Sequence, residues 1–294
     1  MAELFELFST YPVLLIVSVF ILSLIIGSFL NVLIYRLPIM MEREWQQEYQ
    51  AYFSPDAAQS EQTPERFNLA VPRSACPHCK APVLARDNVP LVSWLLLKGK
   101  CRSCNAPISA RYPSVELLTA VLSAVVAWQL DFGLAAAVII FTSWILIALT
   151  FIDIDKMLLP DQLTLPLLWL ALLFSLTDAA FVTPEQALIG AAAGYLSLWS
   201  VYWLFKLLTG KEGMGYGDFK LMAVFGAFLG WQQLPLIILL SSVVGAIVGI
   251  TLLSVQGKDK ATPIPFGPYI AAAGWIALLW GEQLTNSYLR YLGL

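Results

Sequence analysis

Eight apolar runs, parted by short breaker-rich turns and one long polar stretch, set the plan of this chain. The first run, residues 12–35, gives 24 mostly apolar positions, enough to span a hydrocarbon core of ~30 Å. The residues before it carry Glu3 and Glu6 but no Lys or Arg. A cleaved signal peptide would start basic and have an apolar stretch of only ~7–15 residues, so this segment is expected to remain as a helix. After the polar stretch, apolar runs predict helices over 114–130, 134–152, 162–176, 185–208, 219–235, 236–255 and 266–280. Breakers fall between them at Asp131-Phe132-Gly133, Leu159-Pro160-Asp161, Thr183-Pro184, a glycine turn at 213–217 and Pro263-Ile264-Pro265. The 219–235 run is short and holds Gly226 and Gly230, which makes it the weakest span. The pattern therefore predicts an all-α polytopic membrane protein of about eight transmembrane helices. Three parts follow: a first transmembrane helix (1–35), a polar domain (36–113) and a seven-helix membrane core (114–294).

Composition agrees with that class. Of 294 residues, 59% are hydrophobic and 13% charged, too apolar for an ordinary soluble domain. A net charge of −3 makes no case for a nucleic-acid partner; the lipid bilayer is the partner composition demands. Charge also orients the helices. With the N-terminus outside and eight crossings, the ten Lys or Arg of residues 36–111 fall inside with Lys156, Lys206, Lys211, Lys220, Lys258 and Lys260. Only Arg290 of seventeen basic residues is left outside, as the positive-inside rule requires. The polar domain is therefore expected on the cytoplasmic side.

Within that domain, the stretch through Phe67 is acidic and Gln-rich, with Trp45, Tyr49 and Tyr52 at helical spacing. It predicts an amphipathic helix on the membrane surface followed by a flexible loop. Beyond it lie Cys76-Pro77-His78-Cys79 and Cys101-Arg102-Ser103-Cys104, 21 residues apart. Each pair can form a tight knuckle, and Cys76, Cys79, Cys101 and Cys104 together would satisfy structural zinc with no open position. The competing reading is a dithiol redox motif at Cys-Pro-His-Cys. A second matched pair, the absence of a βαβ pattern and a reducing cytoplasm weigh against it. His78, the chain's one histidine, reads as a bystander between two ligands.

Two carboxylates carry the chemistry. Asp153 ends an apolar run, and Asp218 follows Gly213-Met214-Gly215-Tyr216-Gly217, 65 residues later. Ionisable residues at the hydrocarbon edge are functional by default. The eight-crossing topology puts both at one depth on the inner face, where two carboxyls sharing a proton could activate water without His, Ser or metal. Asp155 cannot share a helical face with Asp153. Asp161 reads as a helix N-cap, and Glu116 as a lesser functional candidate. Gly27 and Ser28 read as helix-packing residues, with substrate contact at Asn31 as the alternative. Membrane carboxylates also suit a proton-coupled transporter, which would need them near midplane. A zinc-knuckle scaffold would leave both aspartates dispensable.

The chain resembles the type IV prepilin peptidases, bifunctional leader peptidases and N-methyltransferases of the bacterial inner membrane. The resemblance is carried by Gly27-Ser28-Phe29-Leu30-Asn31 with Arg36-Leu37-Pro38, the two cysteine pairs, Arg111-Tyr112-Pro113 and Glu116. It continues through Ile152-Asp153, Leu159-Pro160-Asp161, Gly215-Tyr216-Gly217-Asp218-Phe219-Lys220-Leu221 and Pro265-Phe266-Gly267-Pro268-Tyr269. It implies Asp153 and Asp218 as the catalytic pair. It further implies cleavage of basic leaders from type IV prepilins and type II secretion pseudopilins, after a glycine and at the cytoplasmic face. Methylation of the new N-terminal residue with S-adenosylmethionine is implied as well. The residues that would bind that donor are not implied. An inner-membrane protein with both termini periplasmic is the expected location.

Overall fold

The computed structural model describes residues 7, 8, 10–53, 66–256 and 264–291. The N-terminal glutamates, residues 54–65, on which the flexible-loop expectation falls, and Lys258, Lys260 and Pro263 lie outside the described residues. Among the described residues the chain is all-helical, with only two isolated bridges, Ala75 with Pro82 and Lys100 with Pro107. The helices are α1 Pro12–Phe53, α2 Val92–Leu96, α3 Arg111–Gln129, α4 Leu134–Lys156, α5 Asp161–Phe174, α6 Pro184–Thr209, α7 Tyr216–Leu229, α8 Leu234–Gln256 and α9 Gly267–Tyr291. Among the described residues, four stretches are long and apolar enough to cross a bilayer: Pro12–Phe53, Leu134–Lys156, Pro184–Thr209 and Trp231–Thr251.

The chain divides into two compact units, Val13–Val125 and Met1–Pro12 with Val126–Leu294. In the first, α1 runs well past the predicted end at residue 35. The helix formers of Met40-Met41-Glu42-Arg43-Glu44-Trp45-Gln46-Gln47-Glu48 carry it on to Phe53, across Pro38. Trp45, Tyr49 and Tyr52 lie exposed on this extension. Gly27 is where α1 meets α3: a methyl group there would stand 2.7 Å from Glu116 Cα and 3.1 Å from Thr119 Oγ1. Asn31 Nδ2 donates to Tyr112 O at 3.1 Å, so the two helices run antiparallel, with 27 opposite 116 and 31 opposite 112. Arg36 is buried and donates to Asn68 O at 2.8 Å and Pro72 O at 2.6 Å, fixing the start of the cysteine region to α1.

In the second unit, α7 is the centre. Nearly every residue from Asp218 to Phe228 is buried. Its 14 residues make only ~21 Å, short of a hydrocarbon core, which is tolerable because protein rather than lipid surrounds it. The span predicted at 219–235 is thus two elements, broken where Gly230 adopts φ +74° before the turn Trp231–Gln233 and α8. α6 and α7 meet backbone to backbone. A methyl at Gly190 or Gly226 would run into the other residue's carbonyl, and one at Gly194 would lie 2.6 Å from Met222 O. α6 begins with a reciprocal capping box between Thr183 and Gln186, with Pro184 at its first position.

Candidate active site and metal centre

Asp153 sits in the last turn of α4. Its carbonyl accepts the Met157 N–H at 2.8 Å, where Met157 turns left-handed (φ +52°) and stops the helix. Its side chain faces the start of α9, and Oδ2 accepts the Gly267 N–H at 3.0 Å. That amide is one of the unpaired donors every helix start presents, and a carboxylate is favoured there by the helix dipole. Asp218 lies in the first turn of α7, behind Gly215. Both carboxylates thus stand at helix N-termini, and both are buried, at 5% and 6% exposure.

Leu159 joins the two. A methyl at Gly217 would stand 2.6 Å from Leu159 Cβ, and one at Gly267 would stand 3.1 Å from Leu159 Cδ1 and 2.6 Å from Asp153 Oδ2. Side-chain-free backbone at 217 and 267 therefore lets α7, α9 and the α4–α5 connection close on one point. Contacts shared through Leu159 draw the two carboxylates toward one point. Asp218 Oδ1 is buried with no hydrogen-bond partner among the described residues. A buried carboxyl oxygen without a donor is costly, and it is the atom a shared proton or a bound water would satisfy.

The surroundings hold the first turn of α7 in place. Phe219, fully buried, packs its ring against Tyr195, Tyr202 and Tyr216 at centroid distances of 5.7, 5.7 and 5.3 Å. Lys206 reaches Glu212 Oε1 at 2.7 Å and Tyr202 Oη at 3.2 Å, tying the glycine turn back to α6 and holding the Glu212 carboxyl below its usual range. Lys220 Nζ binds both Asp161 oxygens, at 2.5 and 2.7 Å. The cap reading of Asp161 is therefore corrected. Pro160 occupies the N-cap, Asp161 is the first helical residue, and its carboxylate is drawn to a cation 59 positions away. Asp155 is exposed on the same helix end as Asp153. Asn31 is committed to the Tyr112 and Gly27 carbonyls, and Glu116 accepts the Leu91 N–H at 2.8 Å with Ser28 as a second partner. Gly267 and Leu159, which assemble the site, stand in sequence motifs, but neither composition nor periodicity assigns them a part in it. The Pro-Phe-Gly-Pro start of α9 was the available signal.

The cysteines form two like knuckles. Cys76 N–H donates to Ala81 O, Cys101 N–H to Ala106 O, and Lys80 and Asn105 turn left-handed at equivalent places. All four Sγ atoms lie within 4.8 Å of one another, with Cys76–Cys104 at 3.8 Å and Cys79–Cys101 at 4.0 Å. Sulfurs bound ~2.3 Å from one tetrahedral zinc are ~3.8 Å apart, so the set fits the ion. Their acidities are split. N–H bonds from Cys79 and His78 pull the Cys76 thiol down to about 6. The Ala106 N–H bond acts likewise on Cys104, but burial and the neighbouring sulfurs outweigh it and push that thiol up to about 12. Four crowded thiols cannot all ionise unless a cation replaces their protons. His78 is not part of the cluster. Arg102 forks onto Asp87 at 2.6–3.0 Å, bracing the second knuckle.

Among the described residues, fold and sites define a helical membrane protein with two buried carboxylates in one unit and a four-cysteine cluster in the other. Residues 21–130 match the bacterial peptidase A24 N-terminal domain and residues 139–250 the type IV leader peptidase family. Proteins named prepilin leader peptidase/N-methyltransferase are similar along the whole chain. That of Aeromonas hydrophila is 61% identical, covering 98% of this chain and 99% of its own. That of Pseudomonas aeruginosa is 52% identical (99% and 99%), and that of Legionella pneumophila 47% (96% and 96%). No solved structure matches. The chain belongs to the type IV leader peptidase family.

Proposed function

We propose that this protein is a prepilin leader peptidase and N-methyltransferase, with Asp153 and Asp218 as its peptidase centre. The observation that carries the reading is the meeting of two buried carboxylates from different helices around Leu159, with an unpartnered oxygen on Asp218. The pair holds one proton between its carboxyls. The unprotonated carboxylate takes a proton from water as the water oxygen attacks the scissile carbonyl, and the other carboxyl gives its proton to the carbonyl oxygen. Collapse of the tetrahedral species returns a proton to the leaving amine. Substrates are type IV prepilins and type II secretion pseudopilins, cut after a glycine. Purified protein given a prepilin and a methyl-labelled donor should release leader and label the mature pilin. Failure of both with a well-folded protein overturns the reading.

The eight longer helices cross the inner membrane with both termini periplasmic and the aspartates at the cytoplasmic face. A cysteine placed at Asp131 or Thr183 should react with an impermeant thiol reagent from outside, and one at Lys156 or Lys211 only after the membrane is opened. Labelling of position 211 from outside would put the aspartates on opposite sides and end the proposal.

Cys76, Cys79, Cys101 and Cys104 hold one structural zinc. Bound there, it would lock both knuckles and supply no open coordination position. Metal analysis should find about one zinc per chain, and removing it should unfold the cysteine region. A native Cys76–Cys79 disulfide with no metal would favour redox chemistry. For the methyl donor, S-adenosylmethionine, the described residues offer no strand-to-helix glycine cradle, so no residue is assigned to it. The side from which a soluble cofactor arrives is that of residues 36–111. Methyl transfer needs an amine exposed only after cleavage, but not the water-activating carboxylates. The Asp218→Asn enzyme should therefore still label a pilin supplied already cleaved. No transfer by that variant where the unmodified enzyme transfers would mean one shared site.

A further inference from the structure

The short helix α2 supplies no carboxylate or thiol to either centre, and its side chains are sorted by face. Ser93 and Trp94 point into the cysteine region: the Ser93 hydroxyl donates to Arg86 O and accepts the Val89 N–H, and Trp94 Nε1 donates to Ile108 O at 3.1 Å. Val92, Leu95 and Leu96 fall at i, i+3 and i+4 on the opposite face, and Leu95 and Leu96 are 67% and 78% exposed. Val89, just before the helix, is exposed too. Three such side chains in one turn, in water, would be a costly patch on a domain this small.

Depth supplies the reason. α2 is entered through a tight turn, in which Val92 N–H closes on Pro90 O at 2.6 Å and Leu91 is forced to φ +58°. The Leu91 amide is pinned to the Glu116 carboxylate, and Glu116 is packed on Gly27 of α1. Gly27 precedes Arg36 by nine residues, roughly 13 Å along the apolar part of α1. Helical side chains lean toward their own N-terminus, which raises the Glu116 carboxylate toward Arg36 but not to it. The strained turn thus starts α2 on the hydrocarbon side of Arg36, and the apolar part of α1 likewise leaves Ile21, Leu22, Ile25 and Phe29 exposed.

We infer that α2 is a wedge that enters the bilayer, placing Val92, Leu95 and Leu96 among lipid acyl chains and seating the cysteine region on the membrane. The turn at Leu91 and its bond to Glu116 set the depth of entry. Lys98 and Lys100, which follow directly, are placed to meet anionic headgroups.

The test uses the full chain, with its metal, in lipid nanodiscs. A trifluoromethyl-phenylalanine probe is introduced singly at Leu96, Leu95, Ile21 and Arg73, each an exposed position that tolerates an apolar ring or, at Arg73, serves as the aqueous reference. Fluorine line broadening is compared for a lipid carrying a mid-chain nitroxide and for a water-soluble gadolinium chelate. The probe at 95 or 96 should broaden with the nitroxide lipid to within about twofold of the Ile21 probe and stay insensitive to gadolinium. Broadening by gadolinium as at Arg73 would overturn the inference. So would insensitivity to both agents at both positions, which would mean that protein, such as a second copy of the chain, covers α2.

Discussion

Asp153→Asn should abolish leader cleavage while leaving the fold intact, and Asp218→Asn should do the same. The substitution separates a structural role from a chemical one. At Asp153 an asparagine oxygen can still accept the Gly267 N–H, so whatever that bond contributes to seating α9 is retained. What is lost is a group that can exchange a proton. Proton transfer by a positioned side chain contributes about 10²–10⁴-fold, and here each carboxyl has a partner that cannot act alone, so the loss should fall at or beyond the upper end. At Asp218 the buried Oδ1 already lacks a donor, so replacement costs no existing hydrogen bond at that atom. Asp155→Asn should retain most of the activity, since that residue is exposed where both members of the pair are buried. Asp161→Asn weakens the contact with Lys220 and should slow cleavage only modestly. Processing of prepilin by either dyad variant at even a tenth of the normal rate would sink the two-carboxylate mechanism.

What the sequence could show was governed by range. Asp153 and Asp218 stood out because charge at the end of an apolar run is conspicuous whatever surrounds it. The cysteine pairs stood out because a knuckle is a local structure. The apolar runs, too, read correctly as helices, with ends displaced where a local rule met a stronger one. α1 outran its apolar stretch because Glu, Gln and Met propagate a helix without needing lipid, and 219–235 broke at Gly230 because its backbone turns there. Asp161 misled because a carboxylate before an apolar run looks like a cap, and only the fold reveals Lys220 beside it. Gly267 is 114 residues from Asp153. No periodicity or spacing joins an amide to a carboxylate over that distance.

That amide is where a small change should have a large effect. Gly267→Ala keeps the N–H donor but adds a methyl that would stand 2.6 Å from Asp153 Oδ2 and 3.1 Å from Leu159 Cδ1. Leu159 is itself held against Gly217, next to Asp218, so the leucine cannot yield without disturbing the second carboxylate. The side chain that can move is Asp153, and its movement takes the carboxylate off its partner. Misplacement of a reacting group by ~1 Å can cost about 100-fold in rate. The same crowding should cost stability by only about 1–3 kcal/mol, which leaves a folded population. Cleavage by Gly267→Ala should accordingly fall about 100-fold with the protein still inserted and monodisperse. Gly249→Ala is the control, because among the described residues its methyl would meet only Ile264 Cδ1, at 3.4 Å, and it should cleave normally. If Gly267→Ala and Gly249→Ala cleave at the same rate, the close approach of α9 to Asp153 plays no part in positioning the pair.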